Sequence, residues 1–167
     1  MERLLPGRRA RPGDGKDFIL GYNTNVAVEH LSEVLLITRQ TGLRRLVERL
    51  ADEAVVAVDT ESNSLHAYRE QVCMIQFSTL HEDFLVDPIA LRDLSPLAPI
   101  FENSQIEKVF HAAEYDLLCL RRDFGFHFNN LFDTMAAARI LGREEVGLGA
   151  LLEAEFGVHL DKRYQAW

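Results

Sequence analysis

An apolar segment that ends in two carboxylates constrains this chain most. Residues 54–58 read Ala-Val-Val-Ala-Val, a run rich in β-branched residues that predicts a buried strand, and Asp59, Thr60 and Glu61 follow at once. Side chains at i and i+2 of a strand share a face, so Asp59 and Glu61 are expected to project together. Adjacent carboxylates repel each other unless a cation such as Mg²⁺ neutralises them. The alternative is a strand end that enters a solvated turn without a ligand.

Composition permits such a site but excludes a basic coat for nucleic acid. The chain has 167 residues, which suits one domain with a buried core, and its 18 Lys and Arg against 26 Asp and Glu give a net charge of −8. With this net charge, nucleic acid could still bind to a local basic patch or to a site that contacts phosphates through metal ions. No apolar run approaches the ~20 residues that span a membrane, and no secretory signal is visible, so we expect a cytoplasmic protein without membrane contact.

The first 25 residues differ in composition from the rest. They are rich in Gly and Pro, and five basic residues stand against three acidic ones. We interpret 1–25 as a flexible basic arm, either a solvated tail or a segment that touches phosphates. Residues 26–167 are interpreted as one domain.

Within that domain, strands come first and then alternate with helices. Short polar loops separate three apolar segments, which predicts an antiparallel meander. The expected architecture is therefore α/β, with a mixed sheet (antiparallel meander, then parallel strands) flanked by helices. The predicted strands are 34–38, 54–60, 72–78, 84–86 and 108–111, and the predicted helices are 43–50, 94–101 (capped by Ser95), 114–124, 134–141 (capped by Asp133) and 147–156.

A third carboxylate follows the strand at 108–111. The sequence His111-Ala-Ala-Glu-Tyr-Asp116 opens the Leu-rich helix 114–124, so Asp116 falls in its first turns. Acidic residues at this position are stabilised by the helix dipole, which is the structural interpretation of Asp116. If the strands 54–60 and 108–111 are neighbours, Asp116 also faces Asp59 and Glu61.

These segments resemble a known nuclease family. The runs VVAVDTESNSL, VCMIQFST and FLVDPIAL, followed by KVFHAAEYDLLCLRRDFG and LFDTMAAARILG, are similar to the 3′→5′ exonuclease domain of ribonuclease D, over roughly residues 30–167. That domain is a branch of the DEDD (DnaQ-like) nucleases, which have a ribonuclease-H-like fold. The resemblance implies that Asp59, Glu61 and Asp116 are catalytic residues and ligands of two divalent ions, Mg²⁺ or Mn²⁺. Two ions about 4 Å apart clamp a phosphate between an activated water and the leaving oxygen.

The resemblance also implies a third motif, a Tyr followed four residues later by an Asp, in a helix beyond Asp116. The sequence ends at Leu160-Asp-Lys-Arg-Tyr-Gln-Ala-Trp167, which is similar to the segment just before that helix. We therefore expect a domain that lacks its C-terminal helices and is inactive or weakly active.

Other residues are candidates for substrate contact, each with a structural alternative. They are Thr60 through its backbone, Leu65 as an apolar wedge against the terminal base, His111 at the strand end, and Tyr115 by stacking on a base. The alternatives are loop packing for Leu65, a structural histidine for His111 and packing on the sheet for Tyr115. Asp133 is expected to cap a helix or support the metal ligands, and Gln76 to form a buried hydrogen bond.

The paired carboxylates together with the resemblance favour a metal-dependent 3′→5′ exonuclease. The resemblance implies that it trims single-stranded RNA 3′ ends, transfer RNA included, and releases nucleoside 5′-monophosphates. DNA is the alternative substrate. The alternative function is a non-catalytic nucleic-acid-binding or interaction domain that retains the nuclease fold. Oligomeric state cannot be predicted.

Overall fold

Six strands form a single sheet in the part of the chain that the structure describes, a computed structural model of residues 34–63 and 70–160. The basic arm and Leu65 lie outside these residues. No described helix is long and apolar enough to cross a membrane. The strands are β1 (Val34–Ile37), β2 (Val55–Ser62), β3 (Val72–Ser78), β4 (Asp83–Val86), β5 (Glu107–Phe110) and β6 (Leu131–Asp133), and the helices are α1 (Gln40–Ala51), α2 (Ala98–Glu102), α3 (Glu114–Phe124), α4 (Thr134–Ile140) and α5 (Leu148–Phe156).

The sheet confirms the predicted mixture of antiparallel and parallel strands. Its order is β1-β4-β3-β2-β5-β6, with β2, β3 and β4 as an antiparallel meander. Strands β2, β5 and β6 are parallel neighbours, and β1 lies parallel to β4 at the opposite edge. Because the carboxyl ends of parallel strands meet at one edge, the residues that follow β2, β5 and β6 come together there.

The core lies on one face of this sheet. Side chains alternate along β2, so Val56 and Val58 are buried while Ala57 and Asp59 are exposed. Helix α1 packs on the buried face through Leu43, Leu46 and Leu50, and a row of rings joins the sheet to the helical layer. Those rings are Phe77, Phe101 and Phe126.

Two expectations about the elements need correction. The segment 94–101 is a 3-10 turn (Ser95–Leu97) that continues into α2, and Ser95 does not cap it. No side chain caps this turn, although Asp93 Oδ1 accepts a hydrogen bond from the Ser95 N–H at 2.9 Å. Strand β6 was not predicted, because three residues are too few to show alternation and its apolar side chains are largely exposed.

Candidate active site

Asp59 and Glu61 project from the same face of β2, as strand alternation predicts. They stand opposite Gln76 and Met74 of β3, and both carboxylates are exposed. The register between β2 and β3 shifts directly after Glu61, between Glu61 and Ser62. Glu61 therefore occupies the last regularly paired position of the strand.

Asp116 approaches the same strand from the helical layer. Strands β2 and β5 are neighbours, so α3, which follows β5, begins beside the end of β2. Asp116 is only 8% exposed, and its Oδ1 accepts a hydrogen bond of 2.5 Å from the hydroxyl of Thr60. Thr60 lies between Asp59 and Glu61, so alternation turns its side chain to the opposite face of β2. The fold thus brings all three predicted carboxylates to one strand end.

The electrostatics of these carboxylates show that they interact. Burial raises the pKa of Glu61, and the charges of Asp59 and Asp116 raise it further. Burial also raises the pKa of Asp116, as does the charge of Asp59, against the opposing hydrogen bond from Thr60. Both groups are therefore harder to ionise than in water, and a bound cation would relieve this cost.

The three carboxylates have the donor atoms that a hard divalent cation prefers, but they are not arranged as a preformed metal site. All three offer only carboxylate oxygens, which Mg²⁺ and Mn²⁺ prefer. Nevertheless, the described residues contain no group of three His, Cys, Asp or Glu side chains arranged to hold a metal ion. The charges of Asp59 and Asp116 nevertheless act on Glu61, and Thr60 occupies only one oxygen of Asp116, so all three carboxylates lie within electrostatic reach of one another.

Asp133 caps α4, as predicted, and also contacts the start of α3. Its Oδ1 accepts hydrogen bonds from the backbone N–H groups of Met135 (2.8 Å) and Ala136 (3.1 Å) in α4. The same carboxylate accepts from the N–H groups of Ala112 and Ala113, which precede α3. Burial alone would raise the pKa of Asp133, but these four N–H groups lower it overall.

His111 is held by the residue that follows Asp133. The hydroxyl of Thr134 donates to the carbonyl oxygen of Phe110 at 3.1 Å, so it accepts from His111 Nδ1, which lies 2.8 Å away. This network assigns the proton of a neutral His111 ring to Nδ1. The other ring nitrogen, Nε2, is buried and has no hydrogen-bond partner among the described residues.

A cavity of about 420 Å³ lies on the open face of the sheet beside Asp59. This volume falls within the range of small-molecule sites. Its walls combine the strands with the starts of α4 and α5, so the cavity joins Asp59 to the His111–Thr134 pair. The lining includes Gln76, Val109, His111, Thr134 and Leu148.

Comparison with known proteins assigns the chain to a family. The sequence model of a family described as 3′-5′ exonuclease matches residues 34–167. The chain belongs to this 3′-5′ exonuclease family. It is 41% identical over 140 residues to the protein RRP6-like 3 of Arabidopsis thaliana, across 83% of this chain and 16% of that protein. The chain spans less than a fifth of the length of this and similar RRP6 relatives.

Solved structures of RRP6 and ribonuclease D share the fold of this exonuclease domain. The catalytic core of RRP6 from Trypanosoma brucei superposes with a TM-score of 0.76 at 34% identity, over 81% of this chain and 38% of that one. Ribonuclease D of Escherichia coli gives 0.76 at 31% identity, over 81% and 36%. The ribonuclease-H-like architecture and the resemblance to ribonuclease D are therefore confirmed.

The remaining candidate residues of the exonuclease domain differ in placement. Tyr115 is 49% exposed at the start of α3, with its hydroxyl 3.5 Å from Ser62 Oγ, so its ring is available for stacking. Leu65 lies outside the described residues. Gln76 is exposed opposite Asp59 rather than buried, which corrects the expectation for it. Its strand looks apolar in sequence because the neighbours of Gln76 on either side, Ile75 and Phe77, face the core.

Two residues of the site were not predicted. Thr134 connects His111 to the carbonyl of Phe110, and Leu148 closes the cavity from α5. Thr134 directly follows Asp133, so a Thr at the first position of a capped helix was the available signal. Nothing in the local sequence around Leu148 marks it, because its role depends on where α5 meets the sheet.

Proposed function

We propose that this protein is a metal-dependent 3′→5′ exoribonuclease that removes nucleoside 5′-monophosphates from single-stranded RNA 3′ ends in the cytoplasm. The observation that carries the proposal is the meeting of Asp59, Glu61 and Asp116 at one strand end of a 3′-5′ exonuclease fold. RNA is favoured over DNA because the Escherichia coli neighbour is described as an exoribonuclease involved in structured RNA processing. Transfer RNA is the substrate class to test first.

The carboxylates would act by holding divalent cations, on which this exonuclease family depends. Two bound Mg²⁺ or Mn²⁺ ions would activate a water and stabilise the leaving oxygen of the terminal phosphodiester. Asp59 and Glu61 would supply exposed oxygens, and Asp116 would supply a further one while its Oδ1 accepts from Thr60. The backbone of Thr60, together with Leu65, His111 and Tyr115, would contact the terminal nucleotides, and Asp133 would hold the ligand-bearing elements in place.

One observation favours a second candidate function, a nucleic-acid-binding domain without catalysis. The described carboxylates do not form a ready metal site, and Asp116 is occupied by Thr60. A domain in this state would still present the open sheet face and the exposed Tyr115 ring to a single strand. The two functions differ in whether bound RNA becomes shorter.

The test uses excess protein over 5′-labelled single-stranded RNA with Mn²⁺, so that slow cleavage is visible. We expect a ladder of products that shorten one nucleotide at a time from the 3′ end, with release of 5′-monophosphates. EDTA should abolish the ladder, and Glu61→Gln should slow it at least ~100-fold, because it removes one charge from the metal site. Glu48→Gln, an exposed change on α1, is the matched control and should cleave normally.

Three results separate the alternatives. A ladder that Glu61→Gln eliminates supports the exonuclease. Stable RNA binding without shortening, unchanged by Glu61→Gln, supports the binding domain and overturns the proposal. Internal cuts that appear before the 3′ end is shortened would contradict a 3′→5′ exonuclease.

A further inference from the structure

One carboxylate holds the starts of two helices at the edge of the sheet. Asp133 Oδ1 accepts from the N–H groups of Ala112 (3.1 Å), Met135 (2.8 Å) and Ala136 (3.1 Å), and Oδ2 accepts from Ala113 at 2.9 Å. Two of these N–H groups belong to the first turn of α4, and two belong to the connection between β5 and α3. A residue that only capped α4 would need only the bonds from Met135 and Ala136.

The connection held by Asp133 has an unfavourable backbone conformation. Ala112 has φ +61°, in the left-handed region that residues with a Cβ seldom adopt. Asn130 is the only other non-glycine residue with positive φ in the described part of the chain, and Asn tolerates this region better. The N-cap residue of α3 is Ala113, whose side chain cannot cap the helix. The hydrogen bonds to Asp133 therefore stabilise a turn that the local sequence does not favour.

This turn determines where Asp116 lies. The first hydrogen bond of α3 runs from the Leu117 N–H to the Ala113 carbonyl at 3.0 Å, so Asp116 is fixed within one turn of Ala113. The Thr134 hydroxyl adds a second tie, because it donates to the carbonyl of Phe110, the last residue of β5. Asp133 and Thr134, at the junction of β6 and α4, thus hydrogen-bond to the junction of β5 and α3 on both sides of the turn.

We propose that Asp133 is a positioning residue, which holds the turn at Ala112 and thereby places Asp116 beside Thr60 at the end of β2. The proposal concerns the residues of this chain and rests on the proposed function only in treating Asp116 as a metal ligand. Asp133 itself has no role here in contacting substrate or metal.

The two oxygens of Asp133 allow a selective test. In Asp133→Asn the single carbonyl oxygen keeps the three bonds of Oδ1, and the amide group faces the Ala113 N–H, which loses its acceptor. The variant should therefore keep the cap of α4 and loosen only the start of α3. Asp87→Ala is the matched control, because it removes two backbone hydrogen bonds, from Ile89 and Ala90, in the distant loop after β4.

The measurements are amide hydrogen exchange by NMR and Mn²⁺ affinity by calorimetry. We expect Asp133→Asn to speed exchange of the Leu117 amide at least ~10-fold and to weaken Mn²⁺ binding about tenfold. Asp87→Ala should leave Mn²⁺ affinity unchanged, and it should speed Leu117 exchange no more than its loss of global stability accounts for. Thr134→Val keeps Asp133 but removes the hydrogen bond to the Phe110 carbonyl, so it should speed Leu117 exchange and weaken Mn²⁺ binding to a smaller degree. This variant replaces Asp133→Asn in the test if Asp133→Asn does not fold.

Unchanged Leu117 exchange in Asp133→Asn, or an equal change in Asp87→Ala, would overturn the proposal. Because exchange needs neither metal nor RNA, it can be read even if the protein proves to bind RNA without cleaving it. Failure of the exonuclease assignment is therefore distinguishable from failure of the positioning role.

Discussion

Asp116 combines burial with a charge, and no cation lies among the described groups that act on its pKa. Among the three carboxylates of the site it is the only buried one, and burial raises its pKa. The cost of ionising Asp116 is absent below the unfolded-state pKa of about 3.9 and fully present above the raised folded-state pKa. Asp116→Asn keeps an oxygen for the Thr60 hydroxyl and removes this charge. We therefore expect it to be more stable than the wild type at neutral pH without divalent metal, by roughly 1 kcal/mol or 2–4 °C in Tm.

Thermal unfolding in EDTA, at neutral pH and again below the carboxylate pKa, checks this prediction. The difference should vanish in acid, where Asp116 is protonated in both states. Mn²⁺ should raise the Tm of the wild type and have less effect on Asp116→Asn. Asp52→Asn, an exposed change at the end of α1, provides the control. A wild type that is more stable than Asp116→Asn at neutral pH in EDTA would mean that the Thr60 contact outweighs the burial penalty.

For single residues, the sequence predicts the side-chain direction along a strand and the position within a helix, because both follow from short-range periodicity. The shared face of Asp59 and Glu61 follows from alternation along one strand, and the place of Asp116 follows from a helix start. The contacts of Asp133 with Ala112 and Ala113 were not predictable, because they join residues 21 and 20 positions apart on the connections that follow two different strands. Likewise, whether Gln76 is buried depends on which face of the sheet is covered, and no pattern within β3 contains that information.

Strand β5 contains a charged side chain inside the core. Lys108 is fully buried, and its Nζ donates to the carbonyl oxygens of Asn103 (2.6 Å) and Ile106 (2.8 Å), which ties the loop after α2 to the strand. Burial lowers the pKa of Lys108. Below this lowered pKa both states carry the charge and the burial penalty is complete. As the pH rises toward the unfolded-state value of about 10.4, the folded protein loses the proton first and gains stability.

Lys108→Met removes both the titration and the two donors. A neutral amine still has two N–H groups for the two carbonyls, whereas Met removes both donors and leaves the Asn103 carbonyl only a long 3.4 Å bond from the Ile106 N–H. We therefore expect a loss of roughly 1–3 kcal/mol in the free energy of unfolding at neutral pH. The advantage of the wild type should grow as the pH rises to about 10. Urea unfolding at several pH values measures it, with the exposed change Arg44→Met as control. A pH-independent difference would show that Lys108 titrates alike in both states.

The ends of elements were predictable where the flanking residues are distinctive rather than wherever an element is long, since α1, the longest described helix, begins at Gln40 and not at 43. Helix α3 and strand β3 begin and end where the sequence predicts, because each has a full apolar pattern with clear flanking residues. Strand β6 exists only because β5 offers it a parallel partner, through pairs such as Val109 with Phe132. At the start of the 3-10 turn the sequence predicts Ser95 as a cap, whereas the Ser95 N–H donates to Asp93 Oδ1, a contact that depends on backbone geometry.

The molecule as a whole covers one face of its sheet far better than the other. Helices α1 and α3 bury the first face, but the described part of the second face leaves Val34, Leu36 and Val55 about half exposed. Ile140 of α4 and Phe156 of α5 add further exposed apolar surface, and α5 buries none of its side chains fully. Exposed apolar surface of this extent promotes association in water. We therefore expect the 167-residue chain to self-associate with increasing concentration and to bind a hydrophobic dye.

Lysine substitutions test whether this surface is the cause. Leu36→Lys and Ile140→Lys, combined in one variant, should reduce dye fluorescence and shift the sedimentation profile toward the monomer, because each adds a charge to the exposed surface. Leu80→Lys is the matched control: Leu80 is 90% exposed but stands in the turn between β3 and β4, so its replacement should change neither measurement. If all three proteins sediment as monomers over the same concentration range, the open face does not drive association. If Leu80→Lys has the same effect as the double variant, added charge in general, rather than this face, controls it.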